Sequence, residues 1–177
     1  MTMKHKDLTD DICARNLVDI DPSSRIDNLT LQFVGSGAEL QIGPGCKLTG
    51  RIFLSSGAKV TIGARTIIHG AAFHMHEGSE VSLGEQCLFS HGISLRPSDA
   101  HKIFDIESGQ RINPPAPIRI GSHVWIGEQV SLMKGCVIPD GCIVGIGSIV
   151  TGRFDTPNCI LAGAPARVVR ENVRWDY

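Results

Sequence analysis

The chain has 177 residues, 42% of them hydrophobic and 20% charged, with a formal net charge of −1. That hydrophobic content excludes a disordered chain, and the near-neutral balance excludes a domain that holds nucleic acid mainly through its phosphates. Twenty Ile against 12 Leu, with 20 Gly, 9 Pro and only 5% aromatic residues, exclude a helical bundle and point to many short strands joined by tight corners.

The chain opens with a charged stretch, Met1 to Asp11, that contains no apolar signal core. No segment approaches the roughly 20 apolar residues that span a bilayer. A cytoplasmic protein without a membrane span is expected. Residues 1–30 read as an N-terminal cap, with Leu8, Ile12 and Leu17 spaced for a short capping helix. The six cysteines, Cys13, Cys46, Cys87, Cys136, Cys142 and Cys159, form no Cys-x-x-Cys pair and no zinc-ribbon spacing, so they read as reduced thiols.

Residues 31–165 carry a period of six. Ile42, Leu48, Leu54 and Val60 keep one register; Ile62 and Ile68 follow after a two-residue slip, and Leu83, Phe89 and Leu95 after another. The register is cleanest later, at Ile120, Ile126, Leu132, Ile138, Val144 and Val150. A hexapeptide period predicts a parallel β-helix, in which three hexads close one triangular turn of about 18 residues. The first residue of each hexad points inward, and the fifth, small one fits the crowded corner. Cys46, Cys87, Cys136 and Cys142 occupy that fifth slot, which predicts buried thiols acting as small hydrophobes. The slips predict bulges or small loops at corners.

The hexads stop near Ala100 and resume at Ile118, leaving a loop over 100–117. Loops of this length in compact domains are usually functional or disordered. This one carries Ile103, Phe104, Ile106 and Ile112, too apolar for a solvated linker, and leaves through Pro114, Pro115 and Pro117. Extended, it reaches on the order of 25 Å out and back, far enough to touch a second subunit. Residues 166–177 read as a C-terminal cap, with a second short helix predicted over Ala166 to Val173.

Several segments carry a resemblance: Ser98-Asp99-Ala100-His101, Arg111-Ile112-Asn113, Ile120-Gly121-Ser122-His123-Val124-Trp125-Ile126-Gly127, and the tail from Ala162 to Asn172. Together they resemble the bacterial hexapeptide-repeat O-acetyltransferases that modify capsular polysaccharides such as polysialic acid. The resemblance implies an all-β fold, a left-handed parallel β-helix with an extruded catalytic loop. It also implies a homotrimer with sites between subunits, acetyl-CoA as co-substrate and a carbohydrate acceptor. No metal, nucleic acid or membrane partner is expected.

The resemblance makes His101 the general base that takes the proton of the acceptor hydroxyl. A sugar hydroxyl is a poor nucleophile at neutral pH, and an imidazole near pKa 7 assists its attack. Asp99 would orient that imidazole. Trp125, in the outward sixth position of its hexad, would place the thioester end of the coenzyme. Lys134, Gly145, Ile146, Ser148, Arg167 and Arg170 are the expected coenzyme contacts, the guanidinium groups suiting its phosphates. Lys102, Arg111 and Asn113 are the expected acceptor contacts. Two departures from the family pattern, Ala164 and Gly152-Arg153, weaken the phosphate assignments.

Two other activities share the fold. A sugar-amine N-acetyltransferase would use a similar base. A γ-carbonic anhydrase would bind zinc through three histidines, for which His69, His74, His76 and His91 are nearby candidates. That reading leaves the His101 loop and the Arg tail without roles.

Overall fold

The computed structural model describes residues 3–4 and 15–177. Eighteen strands follow in chain order: β1 (Met3–Lys4), β2 (Leu17–Ile20), β3 (Arg25–Val34), β4 (Glu39–Ile42), β5 (Lys47–Ser55), β6 (Lys59–Ile62), β7 (Ile67–Met75), β8 (Glu80–Leu83), β9 (Leu88–Phe89), β10 (Ile93–Arg96), β11 (Ile118–Ile120), β12 (Trp125–Ile126), β13 (Ser131–Met133), β14 (Val137–Ile138), β15 (Ile143–Val144), β16 (Ile149–Val150), β17 (Ile160–Gly163) and β18 (Ala166–Arg170).

Their pairing draws a three-sided parallel β-helix. Face one stacks β2, β4, β6, β8, β11 and β14. Face two stacks the first parts of β3, β5 and β7, then β9, β12, β15 and β17. Face three stacks the second parts of β3, β5 and β7, then β10, β13 and β16. The long strands β3, β5 and β7 bend around the corner between faces two and three. Register shifts at Arg25/Asn28 and Leu48/Gly50 mark that bend.

The period of six is the period of the core. Ile120, Ile126, Leu132, Ile138, Val144 and Val150 all point inward and are buried. Inward aliphatic side chains remove apolar area from water on every coil, and β-branched residues pack well on a pleated surface. Cys46, Cys87, Cys136 and Cys142 are each 0% exposed, as their slot predicts. The two-residue slips fall at the corner from face three to face one, where Gly57 and Gly78 turn the chain with φ of 70° and 63°. Another corner admits only glycine for a different reason: a Cβ on Gly63 would lie 2.5 Å from the Gly84 backbone.

Both ends differ from expectation. Leu8 and Ile12 lie outside the described residues, but Leu17–Ile20 is strand β2, paired with β4, and not part of a helix. The parallel stack therefore begins before residue 31. The segment expected as a C-terminal helix is β18, antiparallel to β17. The β-branched pair Val168-Val169 favours a strand there, and the hairpin supplies hydrogen bonds to the open edge of the last coil. Helix–strand ambiguity is inherent in so short an apolar run.

Candidate active site

The 100–117 loop leaves face three after β10 and returns to face one at β11. Between these ends it folds on itself. The Ile112 N–H donates to the Ile103 carbonyl (2.9 Å), the Asp105 N–H donates to the Gln110 carbonyl (2.9 Å), and Phe104 bridges Arg111 in antiparallel fashion. The Asp105 carboxylate closes the tip by accepting from the Ser108 N–H and hydroxyl, and Gly109 turns with φ of 67°. Ile103, Phe104, Ile106 and Ile112 project outward, Ile106 with 98% exposure. An apolar arm this exposed on a single chain marks a contact surface.

The root of the loop is held by a chain of polar contacts. Asn113 is buried, and its side chain is fully used: Oδ1 accepts from the Ile103 N–H (2.6 Å), and Nδ2 donates to the His101 carbonyl and to Asp99 Oδ2 (2.8 Å each). Arg111 makes a two-pronged pair with Glu77, 2.9 Å on each prong. The Ser98 hydroxyl donates to Glu77 (2.5 Å) and accepts from the Ala100 N–H (3.0 Å). The Glu77 carboxyl is held down at about 2, first by the Arg111 hydrogen bond and then by Ser98. Lys134, at the end of β13, reaches Asp99 and lowers its carboxyl, with Asn113 adding to the effect.

These contacts reassign several expected residues. Asp99 binds Lys134 and Asn113 and not the His101 imidazole; its connection to His101 runs through Asn113 to the His101 carbonyl. Lys134 is engaged at the loop root on face three. Arg111 and Asn113 hold the loop from inside, with Asn113 retaining no free donor for a ligand. Lys102 is exposed beside them, and the exposed His101 side chain has no hydrogen-bond partner among the described residues. Glu77 and Ser98 carried little sequence signal. A half-buried Arg111 requires a carboxylate, but its partner lies 34 residues away.

Trp125 lies elsewhere, on face two. It is 38% exposed and lines a cleft of about 340 Å³ with Ser90, Gly127, Glu128, Ile143, Val144, Gly145 and Ile146. Gly145 and Ile146 thus lie beside Trp125 in one cleft. Ser148 does not: it is buried, and its hydroxyl accepts from the Gly163 N–H (3.2 Å) inside the prism. Its slot is the inward fifth position, so the side chain cannot face a ligand on the outside. Arg167 and Arg170 are exposed on β18, with one Arg167 nitrogen on the Ala166 carbonyl (2.8 Å).

Behind Trp125 the C-terminal residues make an aromatic clasp. Trp175 is buried and stacks on His123 at 4.2 Å, with planes 7° apart. Its indole N–H donates to the His123 carbonyl (2.9 Å), and its ring centre lies 6.1 Å from that of Trp125.

Among the described residues no group of three or more His, Cys, Asp or Glu side chains could hold a metal ion. His69 and His91 stack at 5.5 Å, whereas His74 lines a separate depression. No helix among the described residues is long and apolar enough to cross a membrane.

A hexapeptide β-helix with an extruded histidine loop and a tryptophan-lined cleft defines a class, the hexapeptide-repeat acyltransferases. Comparison with known proteins sharpens this. The chain is 42% identical over 131 residues to a polysialic acid O-acetyltransferase of Escherichia coli O1:K1, an alignment covering 73% of this chain and 42% of that protein. It is 30% identical to the polysialic acid O-acetyltransferase of Neisseria meningitidis, covering 90% of this chain and 85% of the relative. Among solved structures, the polySia-specific acetyltransferase NeuO superposes with a TM-score of 0.87 at 37% identity, over 92% of this chain and 74% of that one. A galactoside acetyltransferase in complex with coenzyme A superposes with a TM-score of 0.55 at 25% identity, over 80% of this chain and 65% of that one. No protein-family model matches the chain. The chain belongs to the hexapeptide-repeat O-acetyltransferases, in the family that contains the polysialic acid O-acetyltransferases, and its β-helix is left-handed. It spans less than half the length of the E. coli relative.

Proposed function

We propose that this protein transfers the acetyl group of acetyl-CoA to a hydroxyl of a bacterial surface-polysaccharide sugar, with His101 as general base, in a cytoplasmic homotrimer. One observation carries the shared site. The His101 loop leaves the corner between faces three and one, whereas the Trp125 cleft lies across the prism on face two and its corner with face three. Within one chain the two stand on different sides of the prism, and the outward apolar arm is available for contact with a second copy that would bring them together.

In such a site the coenzyme lies along the cleft of Trp125, Gly145 and Ile146, its thioester toward Trp125. The acceptor oxygen attacks the thioester carbonyl carbon while its proton passes to a His101 ring nitrogen. The tetrahedral intermediate collapses, the C–S bond breaks, and the histidine returns the proton to the leaving sulfur. Asn113 and Asp99 position His101 through its carbonyl. Arg167 and Arg170, exposed on β18, are free to meet the coenzyme's phosphates. Lys102, exposed beside His101, is the remaining loop cation available to the acceptor.

Two measurements test this reading. Acetyl-CoA turnover is screened against capsular oligosaccharides, free sugars and amino sugars; transfer only to amines would overturn the hydroxyl acceptor. His101→Ala is expected to lower kcat at least about a hundredfold, the usual contribution of a general base, with coenzyme binding retained. An active His101→Ala protein removes the base assignment.

A further inference from the structure

The corner between faces one and two is lined by a column of small residues, one from each coil. Backbone bonds fix its order: the Arg25 N–H donates to the Cys46 carbonyl, Lys47 to Thr66, Ile67 to Cys87, Leu88 to Val124, Trp125 to Cys142 and Ile143 to Cys159. Cys46, Thr66, Cys87, Val124, Cys142 and Cys159 are therefore stacked neighbours, and each is 0% exposed. Thr66 separates Cys46 from Cys87, and Val124 separates Cys87 from Cys142. Within the column only Cys142 and Cys159 follow one another directly, and their sulfurs lie 3.5 Å apart.

The end of this column differs from its middle. The Cys46 and Cys87 thiols each donate to a carbonyl one coil on, Gly63 and Gly121, both at 3.2 Å. The Cys142 thiol lies 3.6 Å from the Thr156 carbonyl, an oxygen that also takes the Cys159 thiol at 3.2 Å. Two thiols thus share one acceptor and face each other. Cys159 is the last member of the column, flanked by the exposed residues Asp155, Pro157 and Asn158. A terminal coil is where local opening concentrates. Adjacent coils stand about 4.8 Å apart, inside the window of roughly 4.4–6.8 Å between Cα atoms that a disulfide spans. Directly after Cys142 come Ile143, Val144, Gly145 and Ile146, which wall the Trp125 cleft.

We propose that Cys142 and Cys159 form a peroxide-sensitive dithiol, whose oxidation to a disulfide staples the last coil to the coil that walls the Trp125 cleft. One sulfur attacks a peroxide oxygen, the O–O bond breaks, and a sulfenic acid and one water form. The second sulfur then attacks the sulfenic sulfur. The S–S bond forms, the S–OH bond breaks, and the hydroxyl leaves with the second thiol's proton as another water. Two electrons pass from the two thiols to one peroxide molecule. Burial holds the Cys159 thiol up at about 12, with Cys142 adding to the effect, so thiolate is scarce and the first step is slow. A partner already at contact distance makes the second step fast, ahead of further oxidation. Hydrogen peroxide is little larger than water and enters where an alkylating agent does not. The bond closes a loop that contains the cleft wall, Ser148 and β16, and such closure restricts the unfolded chain. In a reducing compartment a bond of this kind is transient and follows exposure to oxidant.

The test takes the whole protein, fully reduced, and exposes it to hydrogen peroxide under native conditions. The expected product has lost two hydrogen atoms per chain and shows Cys142 linked to Cys159 on peptide mapping. Its melting temperature is expected to rise by about 5 °C, and amide exchange over residues 142–163 to slow at least about tenfold. Dithiothreitol reverses both changes. Cys142→Ala and Cys159→Ala each lose the peroxide-induced rise, whereas Cys87→Ala keeps it. Mapping and reversal are read in the wild type, so the outcome does not depend on how well a variant folds. Thiols unchanged by peroxide, sulfinic or sulfonic acid in place of the cross-link, or a bond to any other cysteine in the same or another chain overturns the proposal. So does a cross-link that adds no protection to the last coil.

Discussion

Lys134 Nζ meets Asp99 Oδ2 at 2.5 Å and ties the end of β13 to the root of the His101 loop. Asp99 in turn holds Asn113, and Asn113 holds the His101 carbonyl, so a lysine one coil away helps set where the imidazole stands. Lys134→Met is therefore expected to lower kcat about tenfold, because misplacing a reacting group is costly, while the KM for acetyl-CoA changes little. Steady-state kinetics with varied acetyl-CoA decides the matter. A raised KM with unchanged kcat would return Lys134 to the coenzyme.

The same chain responds to acid. Glu77 is held at about 2 by Arg111 and Ser98, and Asp99 is lowered by Lys134 and Asn113. A carboxylate with a depressed folded pKa contributes order fully above its ordinary value, near 4.3 for Glu, and loses it as pH falls through the folded value. Amide protection factors over residues 98–113, that is exchange rates corrected for their intrinsic pH dependence, are expected to stay high from neutral pH to about 5 and to fall progressively toward pH 2. Glu77→Gln should exchange faster at neutral pH and show a smaller acid response. A loop equally protected in both proteins at pH 7 would show that the Glu77–Arg111 pair does not hold it.

The repeat made the core legible, because an inward residue every sixth position is both a sequence pattern and the geometry of one face of the prism. The corners were legible as slips, and the loop as the place where the pattern stopped. The loop's internal wiring was not. Glu77 is an isolated acid whose significance depends on Arg111 folding back over it, a contact set by the three-dimensional return of the loop. Ser148 had the residue type of a ligand contact but the register of a core residue, and the register decided. His123 and Trp175 are 52 residues apart and meet only because the tail runs back along the prism. The terminal strands were missed because short apolar segments beside an open sheet edge take the conformation that the edge supplies.

Five buried thiols give a chemical readout of the prism interior. Burial pushes Cys87 up to about 11, and Cys136 and Cys159 up to about 12. At pH 8 such thiols are ionised to roughly one part in a thousand or less, and the thiolate is the reactive form. Iodoacetamide is expected to leave Cys46, Cys87, Cys136, Cys142 and Cys159 unmodified in the native protein and to label all five in denaturant, read by peptide mass spectrometry. Cys142 and Cys159 provide the stricter test, since their sulfurs lie 3.5 Å apart near the end of the stack. Rapid native labelling there would mean that the last coil opens.

The tail clasp ties the C-terminus to the wall behind Trp125. Trp175 fills the space behind Trp125, stacks on His123 and caps the His123 carbonyl with its indole N–H. His123 adopts a left-handed backbone conformation, φ 54°, uncommon for a non-glycine residue. Trp175→Ala removes both the ring and the bond, and costs on the order of 2–3 kcal/mol, somewhat less than for a central core tryptophan because the site lies at a chain end. Melting should fall by several degrees. With its backing gone, Trp125 is expected to lose its fixed position, raising the KM for acetyl-CoA about three- to tenfold with kcat nearly preserved. Trp175→Phe keeps a stacking ring without the N–H donor and should fall between the two. A lowered melting temperature with unchanged KM in Trp175→Ala would limit the clasp to capping the fold.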